Sequence, residues 1–218
     1  MALEPENTLR SFRRAETDGA DMVELDLHAS ADGEIVVIHD ATLDRTTDGS
    51  GRVSDHGLTD LQALDAGAGE RIPTFAEVLA EITCPIQVEV KDPLVVTPLV
   101  ALLREQPGLA ERVVLSSFSV AVMERLATEV PDAERGLITH GWDAEHLSAS
   151  LALGCQHLFC GMPGLDRAVV DKAHGSGVRV TTWIVDDHEA LERALAWGVV
   201  GVSTNDPGRI ATLLAARR

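Results

Sequence analysis

The 218-residue chain is 45% hydrophobic, which is enough for one sizeable core and suits a single α/β barrel in length. A formal net charge of −17 argues against nucleic acid or an anionic membrane as a partner, and it obliges any site for an anion to concentrate positive charge locally. No apolar run reaches the ~18 residues of a membrane span, "MALEPENT" carries no leader pattern, and three sparse cysteines suggest neither disulfides nor a zinc site; the sequence reads as soluble and cytoplasmic.

In chain order, "NTLRSFRRAETDG" is expected to be a helix, with Asn7 or Thr8 as N-cap and Gly19 past its end. Residues 22–27 read as a strand, "ASADGE" as a turn, and 35–38 as a returning hairpin arm. Residues 40–73 read as irregular. Then "TFAEVLAEI" is a helix, "IQVEV" a strand, "TPLVALLREQ" a helix and "RVVLSSF" a strand. "VAVMERLATEV", "GLIT", a helix over 144–153, "HLFC", "RAVVDKAHGSG" and "VRVTTWIV" continue the alternation, which ends with "DHEALERALAWG", "VVGVST" and "PGRIATLLAARR". Strands that alternate with helices imply βα units and parallel pairing.

The predicted architecture is a (β/α)8 TIM barrel in one domain over 1–218. Without the hairpin arm, seven barrel-type strands can be counted, and a helix precedes them all. The chain as written is therefore expected to lack the first strand. Either the written start lies downstream of the true one, or the barrel is degenerate, in which case its two unpaired edges would allow self-association.

Side chains alternate faces along a strand, so Glu24 and Asp26 share one face and Val23, Leu25 and Leu27 the other. On the next barrel strand Gln87, Glu89 and Lys91 share a face opposite Ile86, Val88 and Val90. In a barrel these acids and the lysine would converge at the C-terminal mouth, where barrel enzymes keep their chemistry. Three carboxylates cannot stay ionised side by side without a cation, and carboxylate oxygens suit a hard ion, Mg2+ or Ca2+. The competing explanation is a structural network in which arginines pair these acids. His39 ends the hairpin arm without the companion histidines of a zinc site, which favours proton transfer over metal binding. A histidine that merely closes a loop is the plainer alternative. Arg45, Thr46 and Thr47 could line a substrate channel or stabilise a turn. His28, one step past the strand, reads as exposed, and the other histidines read as surface or packing groups.

Taken in order, "PENT" (5–8), "GADMVELDLHASADGEIVVIHD" (19–40), "LDRTTDGSGRV" (43–53), "IPTFAEVL" (72–79), "VEVK" (88–91), "SSF" (116–118) and "TTWIVDD" (181–187) resemble the glycerophosphodiester phosphodiesterase family. The resemblance covers nearly the whole chain. It implies a TIM barrel that hydrolyses glycerophosphodiesters to glycerol 3-phosphate and an alcohol with one divalent cation, Mg2+ or Ca2+. It further implies metal ligands at Glu24, Asp26 and Glu89, an acid/base histidine at His39, a phosphate contact at Lys91 and an aromatic pocket wall at Trp183. Residues 40–73 match the family's insertion in a short form.

The family's His-Arg-Gly motif, which carries its second catalytic histidine, has no counterpart in the sequence, so impaired turnover is expected. Two other functions stay open: a non-catalytic phosphodiester-binding barrel, and phospholipase D-like activity on lysophospholipids. No amphipathic membrane-docking stretch is evident, which favours water-soluble diesters as substrates.

Overall fold

A computed structural model describes residues 3–217. The chain divides into two compact units, Met1–Val114 and Leu115–Arg218.

In the first unit, helix α1 (Leu9–Thr17) opens on a capping box. The Thr8 hydroxyl accepts from the Ser11 backbone N–H, and the Ser11 hydroxyl accepts from the Thr8 N–H, so two otherwise orphaned donors are satisfied. Thr8 is thus the cap, while Asn7 sits in the left-handed region at φ 54°. The chain then enters strand β1 (Val23–Ala29), which turns back as β2 (Ile35–Val37) in an antiparallel hairpin registered Leu27 to Val37.

Residues 40–73 are more ordered than expected. They include a short helix, α2 (Leu58–Gln62), and fold over an apolar cluster of Val36, Ile38, Leu43, Val53, Leu61, Ala66 and Ile72. Widely spaced single hydrophobics carry no periodicity, so sequence patterning missed this small core. Helix α3 (Phe75–Glu81) follows, capped by Thr74 and Glu77.

Strand β3 (Ile86–Val90) lies parallel to β1 in the register Val23–Ile86, Leu25–Val88 and Leu27–Val90. All six of these apolar side chains are buried, and burying them is the main force that fixes the register. A slip of one residue would drive Glu24, Asp26 and Glu89 into that apolar layer. Helix α4 (Val96–Glu105) completes the unit, followed by the start of β4 (Val113–Ser117).

In the second unit β4, β5 (Arg135–Thr139), β6 (His157–Gly161), β7 (Arg179–Trp183) and β8 (Gly201–Val202) are hydrogen-bonded in that order, all parallel. Between and after them run α5 (Val120–Glu129), α6 (Ala144–Ala152), α7 (Arg167–Gly175), α8 (His188–Trp197) and α9 (Pro207–Ala215). Ser119, Asp143, Asp166, Asp187 and Asp206 each cap the helix that follows, and Gly198 ends α8 at φ 78°. The strand expected over "VVGVST" shrinks to two residues, because only Gly201 and Val202 find register partners on β7.

Among the described residues the strands other than the β2 arm are β1 and β3 to β8, as counted from the sequence.

Candidate active site

The β1–β3 register sets Asp26 beside Glu89, with Glu24 one pleat back on the same face as Asp26. Oxygen atoms of Glu24, Asp26 and Glu89 all lie within 4.8 Å of one another. Asp26 and Glu89 are buried and Glu24 is partly exposed. Among the described residues no guanidinium forms an ion pair with any of the three, which speaks against the arginine network.

The neighbouring cation is Lys91, whose Nζ is 2.9 Å from Glu89 Oε1 and 3.4 Å from Asp26 Oδ1. Asp26 Oδ1 is buried and accepts no hydrogen bond of good geometry. One ammonium against three carboxylates leaves the cluster under-compensated. Burial, then the charges of Asp26 and Glu89, pushes the Glu24 carboxyl well above the ordinary carboxylate range. Burial also raises Glu89, against the opposing pull of Lys91. For Lys91 burial acts downward, but Asp26 and Glu89 outweigh it and hold the ammonium charged. A cluster of hard oxygen donors with an unsatisfied buried oxygen fits a divalent cation such as Mg2+ or Ca2+.

Asn7 completes the first carboxylate. Its side-chain N–H donates to Asp26 Oδ2 at 2.8 Å, and its Oδ1 accepts from the Asp26 backbone N–H at 3.3 Å. One Asp26 oxygen is thereby fixed while the other faces Lys91.

His39 follows the β2 arm with its Nε2 3.2 Å from Lys91 Nζ and its Nδ1 2.6 Å from Asp40 Oδ1. Asp40 in turn meets Arg45, and Arg45 meets Glu6 through both terminal nitrogens. Hydrogen bonds from Arg45, and then from His39, hold the Asp40 carboxyl far below its ordinary range.

His28, read as exposed, is in fact buried, and its Nε2 meets the His39 backbone oxygen at 3.2 Å. His28 lies within β1 with the parity of Glu24 and Asp26, so strand alternation alone turns it to their face.

In the second unit Trp183 ends β7 on the same side as Arg179 and Thr181, opposite the buried Val180 and Thr182. Its indole N–H donates to the Phe159 carbonyl at 3.2 Å, and its ring contacts Phe118 and His140.

Of the residues singled out from the sequence, the structure brings Glu24, Asp26, Glu89, Lys91 and His39 close together. It did not identify the roles of Asn7, Asp40 and Glu6. Asn7 could have been noticed only by asking why a second capping residue stands before Thr8.

The sequence pattern of the Glycerophosphoryl diester phosphodiesterase family matches residues 2–209. A glycerophosphodiester phosphodiesterase of Caldanaerobacter subterraneus subsp. tengcongensis is 34% identical over 225 residues, covering 96% of this chain and 92% of the relative. A Bacillus subtilis glycerophosphodiester phosphodiesterase is 30% identical, covering 93% and 80%.

Among solved structures, an Oleispira antarctica phosphodiesterase in complex with the product sn-glycerol-3-phosphate superposes with a TM-score of 0.89 at 25% identity, covering 98% of this chain and 93% of the other. A glycerophosphodiester phosphodiesterase from Agrobacterium tumefaciens gives 0.80 at 27% identity, covering 99% and 95%. The fold class is the TIM-barrel α/β fold expected from the sequence.

Proposed function

Because the chain belongs to the glycerophosphodiester phosphodiesterase family, we propose that it hydrolyses water-soluble glycerophosphodiesters to glycerol 3-phosphate and an alcohol, aided by one Mg2+ or Ca2+ ion. The observation that carries this reading is the meeting of Glu24, Asp26 and Glu89 within 4.8 Å, beside Lys91 and His39.

The three carboxylates would hold the cation, and a divalent ion there supplies electrostatic stabilisation of charge on the phosphate oxygens. Lys91 binds the same phosphate and adds to that stabilisation, which a chain of net charge −17 needs to concentrate at one spot. His39 transfers a proton through Nε2. Its Nδ1 is engaged by Asp40, so Nε2, which faces Lys91, is the ring atom left for proton transfer once Lys91 turns to the phosphate. Trp183 is assigned to the organic part of the substrate on family resemblance.

The site as described in this unit offers His39 as its one acid/base histidine, since His28 is turned to the His39 carbonyl. Taken by itself, the 218-residue polypeptide is therefore proposed to turn over about 10²–10⁴-fold more slowly than a protein with both partners. Its limit is binding without turnover.

The test is glycerol 3-phosphate release from glycerophosphocholine and glycerophosphoethanolamine, with Mg2+, Ca2+ or chelator. Cation-dependent product supports the proposal. No product together with no calorimetric binding of the diester would sink it, and binding without product would move it to the non-catalytic reading.

A further inference from the structure

The ring of His39 is held from both sides, and each side specifies the same proton position. Asp40 Oδ1 lies 2.6 Å from Nδ1. An ionised carboxylate can only accept, so Nδ1 must carry the hydrogen. Lys91 Nζ lies 3.2 Å from Nε2. An ammonium can only donate, so Nε2 must offer a lone pair. Neutral His39 is thus confined to the Nδ1–H tautomer.

Asp40 is itself held in place. Arg45 Nε donates to Asp40 Oδ2 at 2.6 Å, and Arg45 Nη2 to Asp40 Oδ1 at 3.0 Å. Two more hydrogens of the same guanidinium reach Glu6, from Nη1 to Oε2 at 2.9 Å and from Nη2 to Oε1 at 2.6 Å. The Arg45 side chain is 50% exposed, and ion pairs that open to water contribute little to stability. Stability is a poor explanation for so complete a set of contacts. A planar fork that satisfies two carboxylates at once explains it better, because it fixes the angle of Asp40. The backbone end of His39 is fixed separately, by His28 at its carbonyl.

We propose that Asp40 is a positioning residue for the hydrolysis, oriented by the Arg45–Glu6 pair, and that it keeps the His39 proton on Nδ1 so that Nε2 is the atom presented to substrate. The catalytic consequence rests on the phosphodiesterase reading above; the tautomer does not. Serine proteases use an aspartate in the same relation to their histidine. Here the aspartate is open to water, so the effect of losing it should be smaller than in those buried sites.

The experiment reads the tautomer directly. Protein with 15N-labelled histidine is recorded in long-range 1H–15N correlation spectra at about pH 8, with His39 assigned by its loss in His39→Gln. The wild type is expected to show a protonated-type Nδ1 and an unprotonated-type Nε2. Asp40→Ala leaves Lys91 as the sole constraint on the ring and should yield a mixture, which Asp40→Ala combined with Lys91→Met should move further toward the Nε2–H form. Arg45→Lys, which cannot span both acids, should shift the balance the same way by a smaller amount.

With glycerophosphocholine as substrate, Asp40→Ala should lower kcat by about tenfold or more with KM little changed, and Asp40→Asn, whose amide N–H can donate to Nδ1 and favour the wrong tautomer, should not recover the loss. An Nε2–H form in the wild type, or an unchanged tautomer in folded Asp40→Ala, overturns the proposal. Failure of the phosphodiesterase reading looks different: no glycerol 3-phosphate from the wild type, with the Asp40-dependent tautomer intact.

Discussion

Asn7 and Asp26 hold each other through two hydrogen bonds, amide to carboxylate at 2.8 Å and backbone N–H to amide oxygen at 3.3 Å. The residue just before helix α1 therefore orients a candidate metal ligand on β1. To do so, Asn7 adopts φ 54°, a region open mainly to Gly, Asn and Asp. Asn7→Ala should lower Mg2+ or Ca2+ affinity by about 10–100-fold in calorimetry, the usual cost of losing a residue that orients a ligand. It should also destabilise the fold by roughly 1–3 kcal/mol, since the Asp26 N–H loses its acceptor. Asn7→Gly relieves the backbone and should recover part of the stability but none of the affinity. Unchanged cation binding in both variants would show that Asp26 orients itself.

Glu24→Gln should separate the cation site from the fold. The Glu24 carboxyl is raised by burial first and then by Asp26 and Glu89, so its ionised form costs stability when no cation is bound. A folded pKa above the ordinary 4.5 means that the cost is absent below about pH 4.5 and complete once pH exceeds the folded value. In chelator at about pH 8, Glu24→Gln should therefore melt higher than the wild type, and the gap should close as pH falls toward that lower limit. The same variant should lose the increase in Tm that Mg2+ or Ca2+ gives the wild type. A variant that melts lower than wild type in chelator at high pH would contradict the strained acid cluster.

Lys91→Met should have the opposite sign. Lys91 compensates Asp26 and Glu89 at 3.4 and 2.9 Å with its side chain only 18% exposed. Removing one member of a buried ionic group costs about 3–5 kcal/mol, because the partners stay behind uncompensated. The loss, read by urea unfolding in chelator, should be largest at about pH 8 and shrink toward pH 4.5 as Glu24 and Glu89 protonate. Phosphodiesterase activity should fall with it. A variant as stable as wild type would mean that the acids share protons instead of relying on Lys91.

Much of this site was legible in the sequence because strands alternate strictly. Glu24 and Asp26, and then Glu89 and Lys91, had to share a face once β1 and β3 were recognised, and the register Asp26–Glu89 follows from burying Val23, Leu25, Val88 and Val90. His39 was legible from its place at the end of the hairpin arm. The supporting residues were not. Asn7, Glu6 and Arg45 come from loops, and loops carry no period from which a direction can be read. Arg45 reaches Glu6 across 39 positions of chain. His28 was misread because the strand runs further than expected: it extends to Ala29 and keeps His28 on the face of Asp26. In residues 40–73 a small core forms from isolated hydrophobics such as Leu43 and Leu61, which local composition alone does not distinguish from a polar loop.

Asp186 offers a test in the second unit, where it ties the segment after β7 to the one after β8. Its Oδ1 accepts from the Thr204 hydroxyl at 2.9 Å and the Asn205 backbone N–H at 2.7 Å, and its Oδ2 accepts from the Asn205 amide at 2.7 Å. Burial acts to raise its pKa, but these hydrogen bonds outweigh it and the net shift is downward from 3.8. A carboxyl depressed in the folded state gives stability that is fully present above its ordinary value and is lost as pH falls through the folded one. Asp186→Ala should cost roughly 1–3 kcal/mol, because three donors lose a charged acceptor. Asp186→Asn should fall in between, since it keeps one oxygen but turns an N–H₂ toward the Asn205 amide or the Thr204 hydroxyl. In urea unfolding the deficit of Asp186→Ala should be constant from about pH 8 down to pH 5 and narrow below about pH 4. A deficit that persists undiminished in acid would show that the carboxylate charge contributes nothing and that packing alone is at stake.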